Sequence, residues 1–361
     1  MKLQNKYKIA LVGYRLSGGG SDKVMVNLSL FLEKNGVEVY IVTVLDEGNV
    51  HFGGTYFSTN KLKRGNGVWG RITRLIGLRN FFKEHSFDFI IDFRFRTKSV
   101  QEFIISNFVY NAPTIFTIHS WATNHYIPDN AIVAKSIYNN SYALVCVSNA
   151  IKEVLYKKYA FKQLQTIYNS FIGDEFSNLS KNFESNTILF VGQLENETKQ
   201  LDHLLEAFKI SKLYENGIVI KVCGSGRLEA RYKALVANLG LSENVLFIGF
   251  KQPPYQEMSQ AKFLVLCSAY EGFPNVVIEA LNCHLPVVSY NLKSGPSEVI
   301  VHEENGLLVE NQNIDALANA LPVFFTNDAL YFKCKNNAKQ SVQQFELEEI
   351  GKNWVQLLKL S

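Results

Sequence analysis

Cysteine and proline are both scarce in this sequence, with 5 cysteines and 8 prolines among 361 residues. The cysteines (Cys146, Cys223, Cys267, Cys283 and Cys334) are odd in number, far apart and never in a C-x-x-C pair. That spacing excludes a disulfide scaffold, a zinc ribbon and a thioredoxin-like redox motif. Four of them lie in or beside apolar runs, where a reduced thiol behaves as a small hydrophobe, as expected in a reducing cytoplasm. Long hydrophobic runs are missing too. None approaches the ~18 residues of a membrane span. The apolar run at the amino terminus turns polar at Arg15, too early for a secretion signal. There is no large excess of one charge: 37 Lys and Arg against 33 Asp and Glu give a net +4, and nothing points to nucleic acid. No Asp-x-Asp pair, G-x-G-x-x-G fingerprint, Walker lysine, internal repeat or low-complexity tract occurs.

What is present reads as an ordinary globular chain, 47% hydrophobic and 19% charged, long enough for two domains. The small net charge hides an asymmetry. Residues 1–170 carry 21 basic and 11 acidic side chains, and residues 171–361 carry 16 and 22. The two halves should therefore face different partners. Short β-branched runs recur at 8–13, 37–44, 88–93, 114–118, 143–148 and 165–168. They return at 187–191, 218–223, 245–248, 263–267, 286–290 and 307–309. They lack clean alternation, as strands buried on both faces of a parallel sheet do. Between them lie helix-period stretches such as Leu201, Leu204, Leu205 and Phe208. Alternating strand and helix predicts an α/β chain of two Rossmann-like, doubly wound domains facing a cleft. The polar stretch 170–186 reads as the linker. It divides residues 1–170 from residues 171–343, two domains of similar size. A last helix within 344–361 should pack back on the first domain, with Leu347, Ile350, Trp354, Leu357 and Leu358 on one face.

In such folds ligands sit beyond the carboxyl ends of the strands, so the loops there hold the candidate chemistry. After the first strand, Gly18, Gly19 and Gly20 permit close backbone approach and precede a helix whose free N–H groups attract an anion. The alternative is a tight turn capped by Ser21 or Asp22. After the strand at 263–267 comes Glu271-Gly272-Phe273-Pro274-Asn275-Val276, with Glu279 further along the helix. Pro274 suits the first helical turn, and the N–H groups of Asn275, Val276 and Val277 should point back at an anion. The two carboxylates are acceptors suited to sugar hydroxyls, or else two solvated glutamates. Gln193 follows the strand at 187–191. Lys199 precedes a helix, a poor position against the dipole unless an anion lies between them. His119 ends the strand at 114–118, as a structural side chain or as a hydroxyl partner.

Together these pieces resemble glycosyltransferase family 4, retaining enzymes of the GT-B fold. The strongest piece is the E-x7-E motif, Glu271 to Glu279 in EGFPNVVIEAL. In order along nearly the whole chain stand GGGSDKVMVNLS, His119, VGQL with Lys199, CGSG, VLFIGF, GPSEVI and NGLLV. The carboxyl-terminal region is similar to bacterial members that extend lipid-linked oligosaccharides.

The resemblance implies a transfer of a hexose or N-acetylhexosamine from a nucleoside-diphosphate sugar, a UDP-sugar on family frequency, to a saccharide acceptor. Gly18, Gly19, Gly20, Lys199 and the N–H groups of Asn275 and Val276 would hold the diphosphate, Glu271 and His119 the donor sugar, and Glu279 the ribose. Backbone near Gly224–Arg227 and Phe250 would meet the base. The family usually has arginine where Gln193 stands, so Lys199, Arg15 or Arg227 would carry more of the diphosphate charge. No cofactor and no metal are expected, helix ends and Lys199 replacing the ion. The competing expectations are a GT-B sugar-nucleotide epimerase and an inactive nucleotide-sugar-binding protein.

Positive charge concentrates at Lys61, Lys63, Arg64, Arg71, Arg74, Arg79 and Lys83, with no acid between 61 and 83, interleaved with Trp69, Ile72, Leu75, Ile76, Leu78, Phe81 and Phe82. Such a helix either packs in the core with a solvated basic face or lies on an anionic membrane. The second reading predicts a cytoplasmic enzyme peripheral to the inner face of the membrane, using a lipid-linked saccharide.

Overall fold

The computed structural model describes residues 7–16, 19–45, 50–62, 67–173, 185–251 and 253–360. Gly18, Lys63, Arg64 and residues 174–184 of the expected linker lie outside these. The chain forms two compact units, Met1–Ile172 with Phe345–Ser361, and Gly173–Gln344.

Among the described residues the first unit holds seven parallel strands: β1 (Lys8–Gly13), β2 (Glu38–Thr43), β3 (Thr55–Ser58), β4 (Phe89–Asp92), β5 (Thr114–Ile118), β6 (Ala143–Cys146) and β7 (Leu164–Thr166). Their order across the sheet is β3-β2-β1-β4-β5-β6-β7. The chain winds outward from β1 to β3, returns to the middle at β4 and winds the other way, so helices cover both faces. This explains the unbroken apolar runs: β5 and β6 are buried along their whole length. β3 is the one strand whose signal is absent from the sequence. It is a four-residue edge strand, TYFS, its first three residues exposed or half-buried. The helix Gly20–Lys34 starts earlier than a Ser21 or Asp22 cap would allow. Gly19 is its N-cap, and Asp22 accepts the Gly19 N–H at 3.3 Å.

The helix Leu347–Leu358 buries Ile350, Trp354 and Leu358 within this same unit. The Phe171 N–H donates to the Phe345 carbonyl, the Tyr142 hydroxyl donates to the Leu357 carbonyl, and Lys34 pairs with Glu348 at 2.5 Å.

Among its described residues the second unit holds six parallel strands: β8 (Thr187–Val191), β9 (Val219–Cys223), β10 (Val245–Gly249), β11 (Phe263–Leu266), β12 (Val287–Tyr290) and β13 (Gly306–Val309). The order β10-β9-β8-β11-β12-β13 repeats the same winding. The point where the winding reverses therefore falls between β1 and β4 in the first unit and between β8 and β11 in the second. Such a point leaves a crevice beyond the strand ends, because the loops on either side diverge.

Candidate active site

In the second unit the loops beyond β8 and β11 bring four side chains to the reversal point. Lys199, in a short turn before the helix Leu201–Ser211, reaches Glu271 with Nζ 2.6 Å from Oε1. Ser268, three residues earlier in the same loop as Glu271, donates its hydroxyl to that oxygen at 2.7 Å. Glu271 is thus fixed by a cation and a hydroxyl, with its side chain 12% exposed. Gly192 lies against Lys199, since a Cβ added there would stand 3.2 Å from Lys199 Cγ. Gln193 projects from the same loop and is exposed. Arg227 donates through Nε to the Glu195 carbonyl, and this bond orients it toward the loop after β8.

The two glycines after β9 answer to the fold. A Cβ on Gly224 would lie 1.9 Å from the Gly192 carbonyl oxygen, so only glycine lets the β8 and β9 loops pack. The pattern CGSG is explained by this approach.

The Glu271-Gly272-Phe273-Pro274 turn is held from beneath. Ser294 donates to the Gly272 carbonyl at 3.0 Å, and a Cβ on Gly295, which has φ +94°, would stand 3.0 Å from Pro274 Cδ and 3.3 Å from Glu271 Cβ. Gly272, Phe273 and Pro274 are buried. Pro274 is the N-cap of the helix Asn275–Asn282, one residue before the first-turn position expected for it. The expected row of three N–H groups is reduced. Asn275 donates to the Phe273 carbonyl at 3.1 Å and Val277 to that of Pro274 at 2.9 Å. The Val276 N–H has no backbone acceptor among the described residues. Glu279 is buried, 7% exposed, rather than solvated.

Gly19, Gly20 and His119 belong to the first unit. Gly19 has an ordinary φ of −66°, and an added methyl would meet Asp22 Oδ2 at 3.5 Å and little else. Nothing inside the chain requires glycine there, in contrast to Gly224. His119 ends β5, its ring stacked on Phe93 with centroids 5.5 Å apart. Its Nε2 lies 2.8 Å from Thr117 Oγ1, and that hydroxyl donates to the Asp92 carbonyl at 3.0 Å. The hydroxyl proton being committed, Thr117 accepts from Nε2–H, and Nδ1 is the unprotonated nitrogen. Nδ1 is buried without a partner. Burial, and then the nearby Arg96 charge, lower the imidazole pKa to about 3, so the ring is neutral at physiological pH. His119 is therefore an acceptor for a hydroxyl proton and not an acid.

Beside it lies a buried charge cluster that was not legible in the sequence. Asp92, fully buried at the end of β4, accepts from Arg94 Nε and Nη2, from the Arg94 N–H and from the Tyr110 hydroxyl. Arg94 Nη2 also donates to Glu102 at 2.9 Å. Arg96 donates to the carbonyls of Asp92, Arg94 and Thr117 and lies among the rings of Phe116, Tyr126 and Tyr138. Burial acts to raise the Asp92 pKa, but Arg94 and Arg96 outweigh it and hold the acid below its ordinary value. Ser268 and Ser294 were missed as well. The three-residue spacing of Ser268 and Glu271 in the loop after the strand at 263–267 is a local signal of their contact.

Two family models match in tandem, Glycosyltransferase Family 4 over residues 18–171 and Glycosyl transferases group 1 over residues 172–341. The chain belongs to the GT4-type glycosyltransferases. One curated relative is the N-acetylgalactosamine-N,N′-diacetylbacillosaminyl-diphospho-undecaprenol 4-α-N-acetylgalactosaminyltransferase of Campylobacter jejuni, 34% identical over 47% of this chain and 46% of the relative. The match thus spans under half the length of that relative. Another, from the same organism, is the GalNAc-α-(1→4)-GalNAc-α-(1→3)-diNAcBac-PP-undecaprenol α-1,4-N-acetyl-D-galactosaminyltransferase, 25% identical over 97% of this chain and 98% of the relative. The crystal structure of Anabaena HepE in complex with UDP and glucose superposes with a TM-score of 0.80 at 18% identity, covering 98% of this chain and 99% of HepE. This glycosyltransferase therefore has the GT-B type of paired parallel-sheet domains. Among the described residues no helix is long and apolar enough to cross a membrane, and no three His, Cys, Asp or Glu side chains gather in a group that could hold a metal ion.

Proposed function

We propose that the chain is a retaining glycosyltransferase. It moves a hexose or N-acetylhexosamine from a UDP-sugar to a lipid-linked saccharide in the synthesis of a surface polysaccharide or glycan, without a metal ion. The observation that carries this reading is the Lys199–Glu271–Ser268 group at the reversal point of the second sheet. Lys199 has Glu271 as its carboxylate partner. A diphosphate arriving beside Val276 N–H would compete for that ammonium, and Glu271 would keep Ser268 as its donor while it turns to a sugar hydroxyl. Charge that grows on the departing phosphate is then met by Lys199 and the helix end, where stabilisation matters most. Glu279 takes the ribose hydroxyls. In the first unit, Gly19 lets the backbone approach a phosphate, and His119 Nδ1 accepts a sugar hydroxyl. Retention follows from attack of the acceptor hydroxyl on the face the phosphate leaves. The C1–O bond to phosphate breaks as the new C1–O bond forms, and the acceptor proton passes to the leaving phosphate.

The membrane part of the reading is supported by the helix Gly67–His85. Leu78, Phe81 and Phe82 are core residues, whereas Val68, Trp69, Ile72 and Ile76 are exposed, 69% for Trp69, beside exposed Arg71 and Arg79. The helix thus packs through its carboxyl-terminal half and leaves apolar side chains exposed in its amino-terminal half. Exposed aromatic and aliphatic side chains among arginines suit an anionic lipid surface at the inner face of the cytoplasmic membrane.

Thermal denaturation with UDP-, GDP- and ADP-sugars, followed by product analysis with a polyprenyl-diphosphate-linked saccharide in chelator, tests the reading. UDP-sugars should stabilise the fold and yield an α-linked product. Stabilisation by none of the donors, or activity lost in chelator and restored by manganese, would sink it.

A further inference from the structure

The reversal point of the first sheet, between β1 and β4, also has a crevice beyond its strand ends. A pocket of about 320 Å³ opens there, within the size range of small-molecule sites. Three features give it a definite chemistry. Arg94 lines it and is 6% exposed. Its Nε and Nη2 are spent on Asp92 and Glu102, while Nη1 makes no hydrogen bond, so two N–H donors of an immobile guanidinium remain for a ligand. Lys98 stands exposed at the mouth. Asp92 and Glu102 balance Arg94 and Arg96 in the buried cluster, and Lys98 leaves the pocket net positive. Burial, with the Asp92 charge beside it, raises the Glu102 pKa against the pull of Arg94. Finally, the rings of Tyr14 and Phe95 line the pocket while 49% and 54% exposed. Phe95 is propped by Tyr126, centroids 5.1 Å apart, yet keeps more than half its surface open. Exposed aromatic faces beside fixed polar donors suit the apolar face of a sugar ring.

We propose that this pocket binds an anionic saccharide, a sugar ring against Tyr14 and Phe95 with its phosphoryl or carboxylate group on Arg94 Nη1 and Lys98. The proposal rests on reading the chain as a transferase with a saccharide acceptor and names the chemical class of that acceptor. A charge-assisted hydrogen bond from a preset guanidinium N–H to an oxyanion is of the stronger kind, and Gln101 and Thr97 on the pocket wall can pair with sugar hydroxyls.

Calorimetry on the full chain tests it. The chain is first titrated with UDP and then, at saturating UDP, with N-acetylglucosamine 1-phosphate, glucuronate and neutral N-acetylglucosamine. The expected result is binding of an anionic sugar about ten-fold or more tighter than the neutral one. Binding of the phosphate assigns a phosphoryl-linked acceptor, and binding of glucuronate assigns an acidic glycan. Arg94→Gln would strand Asp92 in the core, so the test uses Lys98→Glu and Phe95→Ala, both on exposed side chains. Each should weaken binding about ten-fold or more, with Lys157→Glu on a distant exposed helix as the charge-reversal control. No sugar binding, equal binding of neutral and anionic sugars, or wild-type affinity in both variants overturns the proposal. UDP binding without anionic-sugar binding condemns the pocket alone. Failure of UDP itself to bind counts against the transferase reading, and the same two variants still judge the pocket.

Discussion

Substituting His119 by glutamine removes a titrating group while keeping a donor for Thr117, and the pH dependence of stability should change by a calculable amount. The folded chain holds the imidazole pKa at about 3, against an ordinary value of 6.5. Between those values the unfolded chain binds a proton that the folded chain refuses. Stability from this site is therefore complete above the ordinary value and is lost as pH falls toward the folded one. Over the whole window the loss is ~5 kcal/mol at 1.36 kcal/mol per unit; from about pH 7.5 to about pH 5 it is ~2 kcal/mol. All 3 tryptophans, Trp69, Trp121 and Trp354, lie in the first unit, so tryptophan fluorescence reports the unfolding of that unit alone. With a urea slope of ~2 kcal/mol per molar, the midpoint of the wild type should fall by ~1 M more than that of His119→Gln between the two pH values. Carboxylates and other histidines titrate alike in both proteins and cancel in the difference. A midpoint difference independent of pH, within ~0.2 M, would refute both the neutral ring and the tautomer deduced for it.

Asp92→Asn should destabilise the first unit by ~3–5 kcal/mol in the same fluorescence assay, because Arg94 and Arg96 lose their buried counterion; a cost under ~1 kcal/mol would contradict the cluster. Gly224→Ala should destabilise the second unit by at least ~1–3 kcal/mol by circular dichroism and weaken UDP binding, since its Cβ would meet the Gly192 carbonyl oxygen at 1.9 Å. Glu271→Gln should lower kcat ~100-fold or more while UDP affinity holds or rises, Lys199 being released to the diphosphate; parallel loss of UDP affinity would place Glu271 in nucleotide binding instead. Gln193→Arg should tighten UDP binding by calorimetry, and unchanged or weaker affinity would argue against this side chain facing the phosphates.

Most strands were legible because a strand covered on both faces needs an unbroken apolar run, as in TIFTI and TILFV. The edge strand Thr55–Ser58 was not, because an edge needs no such run. Glu271 and Lys199 were legible as candidates from their positions after strands. Their mutual 2.6 Å contact was not, since the two are 72 residues apart and meet only when β8 and β11 pair.

The sequence by itself determined the α/β class, the positions of the strands other than the edge strand Thr55–Ser58, the carboxyl-terminal helix and the ordered family motifs, all of which rest on local periodicity and punctuation. Tertiary structure alone decided which polar groups are free. It closed the Asn275 and Val277 N–H groups on their own loop, tied Lys199 to Glu271, left His119 Nδ1 without a partner, and buried Asp92 and Arg94 where the first sheet reverses. The physical reason is that a hydrogen-bond donor or acceptor is defined by what surrounds it, and sheet order brings together surroundings drawn from distant segments of the chain.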